Sequence, residues 1–223
     1  MAPVHAVLFD YGLVLSGPPD PAAWTSMKAI SGLDEVTLQR AYWAHRHPYD
    51  RGDLDALAYW ACIAQDASLF FTPDQVRHLI QADVDLWGQL NPPMVDWAAQ
   101  LQRAGIRTGI LSNIGDAMAH GLVARHDWIS AFHHCVWSYS LNLAKPEAAI
   151  YRHAAKSLDT PAANILFIDD KQENIDAALA SGMQAIQYTS HPPFEHELQA
   201  RGLGFLLTPE ASRFPKREEL VPS

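Results

Sequence analysis

Four short apolar runs constrain this chain more than any other feature: VHAVLF at 4–9, RTGIL at 107–111, NILFI at 164–168 and AIQY at 185–188. Each is apolar almost throughout, as strands are when both of their faces are covered. HCVWSY at 134–139 is a weaker fifth. Between them lie segments with helical character, PPMVDWAAQLQRAG, KPEAAIYRHAAKSL and ENIDAALASG. Strands alternating with helices specify a parallel sheet wound on both sides, so the expected fold class is α/β with a doubly wound, Rossmann-like core.

One stretch breaks the alternation. Residues 16–90 contain no convincing strand but several helix signals. SGLDEV offers a helix start near residue 34. TPDQVRHLI at 72–80 reads as a capping box, with Thr72 facing Gln75 and Pro73 in the first turn. The proline-rich joints SGPPDP (16–21) and NPP (91–93) bracket the stretch. The expected organisation is therefore a core of residues 1–15 and 91–223, with an all-helical cap inserted at 16–90. The polar, proline-bearing tail PEASRFPKREELVPS is expected to be loosely ordered.

Composition narrows the classes of partner. A hydrophobic fraction of 48% over 223 residues supports a full core. No run of eighteen apolar residues could span a bilayer, and MAPVHAVLFD lacks the basic and apolar regions of a secretion signal. Cys62 and Cys135 stand in unrelated contexts, which suits a reducing, cytoplasmic setting and packing roles. A formal net charge of −9 argues against nucleic acid and anionic membranes as partners. An anionic substrate would then need a local cluster of cations or a metal. Spacing alone does not set the oligomeric state.

In a parallel sheet, ligands bind at the carboxyl ends of the strands. The polar residues there should converge: Asp10 after VLF, Ser112 and Asn113 after GIL, and Asp169 and Asp170 after LFI. Lys145 opens a helix after the weak strand. A carboxylate can attack an electrophile covalently, while a hydroxyl and an ammonium can meet the charge on a phosphoryl group. The acids supply the hard oxygen ligands that Mg²⁺ prefers. Singly, each residue has a plainer role: turn or cap for Asp10 and Asp169-Asp170, helix cap for Ser112 and Asn113, solvated side chain for Lys145.

The ordered set FDYGLVL, LSN, KPE and FIDD resembles the four motifs of the haloacid dehalogenase-like hydrolase superfamily, with 16–90 as a helical cap inserted after the first. That resemblance implies Asp10 as nucleophile, Ser112 and Lys145 as phosphate-binding and charge-neutralising groups, and Asn113 beside them. It implies a magnesium site of Asp10, Asp169, Asp170 and the Gly12 carbonyl. The activity implied is a Mg²⁺-dependent phosphatase acting on small phosphorylated metabolites, sugar phosphates among them. Many phosphatases of the superfamily carry a second Asp two residues after the nucleophile as general acid and base; here that position is Gly12. Some relatives also have Gly there. A 2-haloacid dehalogenase using the same nucleophile is the alternative, although such relatives usually have serine and asparagine in place of Asp169-Asp170. A regulatory relative of low activity is a third reading.

Within the cap, AYWAHRHPYDRGDLDALAYW at 41–60 holds His45 and Arg46, which could reach a substrate anion, and Arg51-Gly52, which could turn at the lower face. The competing expectation is that Trp43, Tyr59 and Trp60 pack the helical core while Arg46 and Arg51 face water. Asn174 reads as a helix residue more than a ligand, with polar contact near the metal as the lesser expectation, and His133-His134 read as surface or edge-strand histidines.

Overall fold

The computed structural model describes residues 2–209; the tail from residue 210 lies outside the described residues. Strands β1 (Ala6–Phe9), β2 (Arg107–Ser112), β3 (His134–Trp137), β4 (Ile165–Asp169) and β5 (Gln184–Gln187) form one sheet in the order β3-β2-β1-β4-β5. Every pairing is parallel, with Phe9 opposite Ile110 on one side and Ile168 on the other. HCVWSY, the weak run, supplies edge strand β3.

Alternate residues of β1 feed two cores. Val7 and Phe9 pack with Ile110 and Ile168 against helices α6 (Pro92–Arg103), α7 (Asp116–Arg125) and α10 (His191–Ala200). Ala6 and Leu8 face the other way, with Phe167, onto α8 (Ala148–Ser157) and α9 (Gln172–Ala180). Both faces are thereby covered, which is why the strands read as continuous apolar runs. β1 lies at the switch in strand order, so its carboxyl end opens into a crevice.

Between β1 and α6 the chain forms α1 (Pro21–Ser31), α2 (Glu35–Ala44), α3 (Arg46–Arg51), α4 (Ala56–Asp66) and α5 (Pro73–Leu86). Asp34 caps α2, and Thr72 with Gln75 closes a reciprocal capping box on α5. These helices surround a core of their own that includes Met27, Tyr42, Tyr59, Trp60 and Leu79. The two strands of chain joining this helical insertion to the sheet run side by side. Ser16 bridges Leu90, and Asn91 donates its backbone N–H to Leu15 O (2.9 Å) and its side-chain amide to Val14 O (2.8 Å).

The insertion meets the sheet domain through α5, where Asp85 pairs with Arg125 of α7 and Val84 joins the sheet-domain core, and through α3. Arg51 pairs with Glu147 (3.1 Å), and Gly52, at φ 88, ends α3 directly over the Tyr139 backbone. A Cβ at Gly52 would overlap the Tyr139 carbonyl, so two constraints demand glycine there. Ser138 bonds across the same seam, its hydroxyl donating to the Asp50 carbonyl and accepting from Ile114 N–H.

Candidate active site

The polar strand ends meet. Lys145 Nζ lies 2.8 Å from Asp10 Oδ1 and 2.6 Å from Asp169 Oδ2, and all three side chains are buried. Asp10 Oδ1 also accepts the Tyr11 backbone N–H at 2.7 Å. This carboxylate is held by the turn that ends β1 and by an ammonium from beyond β3. Asp169 Oδ1 accepts from Lys171 N–H and from Asn174 Nδ2, both at 2.9 Å. Asn174 is thus more than a helix residue: it is buried on α9 and fixes Asp169.

Asp10, Asp169 and Asp170 each offer a carboxylate oxygen, and these lie within 4.8 Å of one another. Their roles divide by position. Asp169 is fully buried, and its oxygens are taken by Lys145, Lys171 N–H and Asn174. Asp170 instead lines a cavity of about 350 Å³ together with Asp10, Gly12, Ser112, Asn113 and Lys145. Gly12 adopts ordinary extended backbone (φ −63°, ψ 127°), and a Cβ built there would meet nothing within 4 Å.

Burial dominates the electrostatics. It pushes the Asp10 carboxyl up to about 7; Lys145 opposes that shift and Asp169 adds to it. Asp170 is also raised, by burial and then by the Asp169 charge. Burial works to discharge Lys145, but Asp10 and Asp169 outweigh it and hold the ammonium above its ordinary range. Three carboxylates around one ammonium leave an excess of negative charge at the strand ends. Among the described residues this trio is the group of acids placed to hold a metal ion.

Asn113 acts in a way the sequence did not indicate. Its Nδ2 donates to Lys145 O at 2.9 Å, and its Oδ1 accepts the Lys145 N–H at 2.8 Å. The side chain is committed to the backbone that carries the lysine, not to a helix cap. Ser112, buried at the end of β2, lines the cavity itself.

The cap side departs further from expectation. Arg46 lines the cavity but is buried, with Nε on Asp50 Oδ1 (2.9 Å) and Nη1 3.1 Å from both oxygens of Asp83. It neither faces water nor stands as an uncommitted cation, because a buried guanidinium needs carboxylate partners. Asp50, which sequence reasoning passed over, also lines the cavity. Burial raises its carboxyl to about 6, opposed by Arg46 and reinforced by Asp83. Tyr59 and Trp60 pack the helical core as expected, whereas Trp43 is 52% exposed at the cavity. His45 pairs with Asp66 on the surface, away from the cavity lining.

Comparison with known proteins gives the same fold and places the chain in a family. The family model for haloacid dehalogenase-like hydrolases matches residues 6–182. A drimenol cyclase of Aspergillus calidoustus is 24% identical over 87% of this chain and 36% of its own length. A sesquiterpene phosphatase of Aspergillus oryzae is 32% identical over 43% of this chain and 49% of its own. The chain thus spans about a third and a half of these two relatives. An (S)-2-haloacid dehalogenase of Pseudomonas sp. (strain CBS-3) is 26% identical over 90% of this chain and 94% of its own. Among solved structures, a HAD family enzyme from Bacteroides thetaiotaomicron superposes with a TM-score of 0.73 at 16% identity, covering 88% of this chain and 99% of that one. A wild-type structure of that enzyme is a complex with magnesium and inorganic phosphate (TM-score 0.68, 16% identity, 87% and 98% covered). With the four motifs meeting at the strand ends and the family model spanning most of its length, the chain belongs to the haloacid dehalogenase-like hydrolases.

Proposed function

We propose that this hydrolase is a Mg²⁺-dependent phosphatase of small phosphorylated metabolites, working through an aspartyl-phosphate on Asp10. The observation that carries this reading is the trio Asp10, Asp169 and Asp170, whose carboxylate oxygens lie within 4.8 Å of one another, with Lys145 on the first two. Burial first, and the Asp169 charge after it, raise Asp10 and Asp170; a hard divalent cation would stabilise their charged forms, and an all-oxygen donor set suits magnesium. Asp10, Asp170 and the Gly12 carbonyl would hold the ion, with Asp169 positioning Lys145. When bound, magnesium supplies charge neutralisation at the phosphoryl oxygens.

In the first step an Asp10 oxygen forms a bond to phosphorus as the ester P–O bond breaks, and the departing alkoxide takes a proton from water. In the second, water attacks phosphorus, the bond to Asp10 breaks, and phosphate leaves. Lys145 and Ser112 offset the charge on the phosphoryl oxygens through both steps. No carboxyl at position 12 assists either proton transfer. The sesquiterpene phosphatase among the relatives and the magnesium–phosphate complex on the same fold support the reading. Its test is phosphate release from a panel of phosphomonoesters, with magnesium or with chelator. Release that needs the metal and vanishes in Asp10→Asn is expected; full activity in Asp10→Asn ends the proposal.

The dehalogenase relative, aligned almost end to end, favours a second reading in which Asp10 displaces halide from a 2-haloacid. Halide release from 2-chloropropionate that is indifferent to chelator would establish it. The acid pair 169–170 weighs against it.

A further inference from the structure

The cavity over Asp10 has two unlike sides. Its floor is the polar cluster at the strand ends; above it an apolar strip of Leu13, Trp43, Trp87 and Met118 runs beside Arg46, His47 and Asp50 of the cap. Leu13 and Trp43 are 39% and 52% exposed, among the few large apolar side chains left to water. Of the exposed large apolar side chains, these two line the cavity, where a bound ligand would cover them.

The surrounding structure fixes these groups in place. Leu13 takes φ 57, a left-handed conformation costly for leucine, and its N–H bonds Ser16 Oγ at 3.0 Å. Trp87 donates its indole N–H to Tyr42 Oη (3.2 Å) and accepts Tyr11 Oη at its carbonyl (3.0 Å). A second hollow of about 250 Å³, lined by Pro19, Pro21, Trp24 and Leu86 with Asp20, Glu35 and Gln39, shares Trp43 and Trp87 with the first.

Much of the polar lining, by contrast, is already committed. Arg46 is bound by Asp50 and Asp83, Asn113 by the Lys145 backbone, and Asn174 by Asp169. His47 and Lys171 stand apart from these pairs. A polyol seated along Leu13, Trp43 and Trp87 would press hydroxyls against apolar side chains, and buried polar groups without partners are costly. A hydrocarbon meets no such penalty.

Building on the phosphatase reading, we infer that the organic part of the substrate is a hydrocarbon: a phosphomonoester of an apolar alcohol, with its phosphate at Asp10 and its chain running past Leu13 along Trp43 and Trp87 toward the second hollow. Phosphomonoesters of apolar alcohols are then preferred over sugar phosphates.

The test is calorimetric titration of ethyl, butyl, hexyl and octyl phosphonate with saturating magnesium, on the wild type, Trp43→Ala and Leu13→Ala. Affinity should rise about three- to fourfold per buried methylene until the groove is filled, and the rise should flatten in Trp43→Ala. Trp43 is half exposed, so its loss leaves the fold intact, and a wild-type-like melting transition verifies this. A flat series in which ethyl phosphonate still binds overturns this inference and leaves the phosphatase reading standing. Failure of every phosphonate, ethyl included, overturns both. A slope unchanged in both variants overturns the assignment of the groove.

Discussion

Asn113 holds Lys145 by its backbone, donating to the lysine carbonyl at 2.9 Å and accepting its N–H at 2.8 Å. The ammonium reaches Asp10 and Asp169 only because this loop is pinned to the end of β2. Each hydrogen bond is worth about 1 kcal/mol net. Asn113→Ala should therefore lower kcat/KM by roughly 10- to 100-fold. Asn113→Asp keeps the acceptor for Lys145 N–H and should retain more activity than Asn113→Ala. Steady-state kinetics on the three proteins would show it; equal losses in the two variants would mean that the pinning is not what matters.

Asp10 sits in the fold at a cost. Its ordinary pKa is near 4, and burial holds the proton on it up to about 7. The folded chain thus binds this proton more tightly than the unfolded chain does. Stability falls as pH rises from about 4 to about 7, and the loss is complete above that. Asp10→Asn removes this titration, and with it one of the two carboxylates on buried Lys145, so the variant should lose the pH dependence while its turnover is abolished. With chelator present, the melting temperature of wild type should fall between pH 4 and pH 8 by several degrees more than that of the variant. A gap between the two melting temperatures that is the same at both pH values would refute the argument.

Magnesium must displace the Asp10 proton before that carboxylate can act as a ligand. Affinity should then climb about tenfold per pH unit below 7 and level off above it, as measured by titration calorimetry. The acid pair should separate in the same experiment. Asp170 lines the cavity, so Asp170→Asn should weaken magnesium binding and leave stability near wild type. Asp169→Asn takes a carboxylate from buried Lys145, a loss of roughly 3–5 kcal/mol, so its main effect should be on melting. The opposite pattern would reverse the roles assigned to the two acids.

What the sequence made legible was what depends on backbone and order. β1, β2 and β4 follow from local apolar runs, and the polar residues just past them converge because a parallel sheet aligns strand ends. The Thr72–Gln75 box was readable for the same reason: it is a contact within one turn. Arg46 and Trp43 were not readable. Whether Arg46 meets water or Asp83 depends on how α3 packs against α5, and nothing local to either helix encodes that. Trp43 lies beside buried Tyr42 on α2 yet faces the cavity, because the helix turns the two neighbours to different sides. Asn113 was visible as a polar strand-end residue, but its grip on Lys145 is a contact between distant loops.

Gly12 leaves room for what it lacks. Its φ of −63° and ψ of 127° suit any residue, and no atom lies within 4 Å of a Cβ placed there. Sterics therefore do not demand glycine, unlike Gly52 over Tyr139. A carboxyl at this position would sit on the turn beside Asp10, where a departing alkoxide needs a proton and the attacking water must lose one. General acid–base groups contribute roughly 10²–10⁴-fold where proton transfer limits the rate. Gly12→Asp should thus raise kcat at least tenfold on alkyl phosphates, whose leaving groups are poor. Aryl phosphates depart without protonation, so their kcat should change little. The added charge also joins three carboxylates, so the variant should need no more magnesium than wild type for half-maximal rate. The measurement is kcat against leaving-group pKa for both proteins: the wild-type line should be steep and the Gly12→Asp line shallow. Parallel lines would mean that proton transfer is not what position 12 withholds.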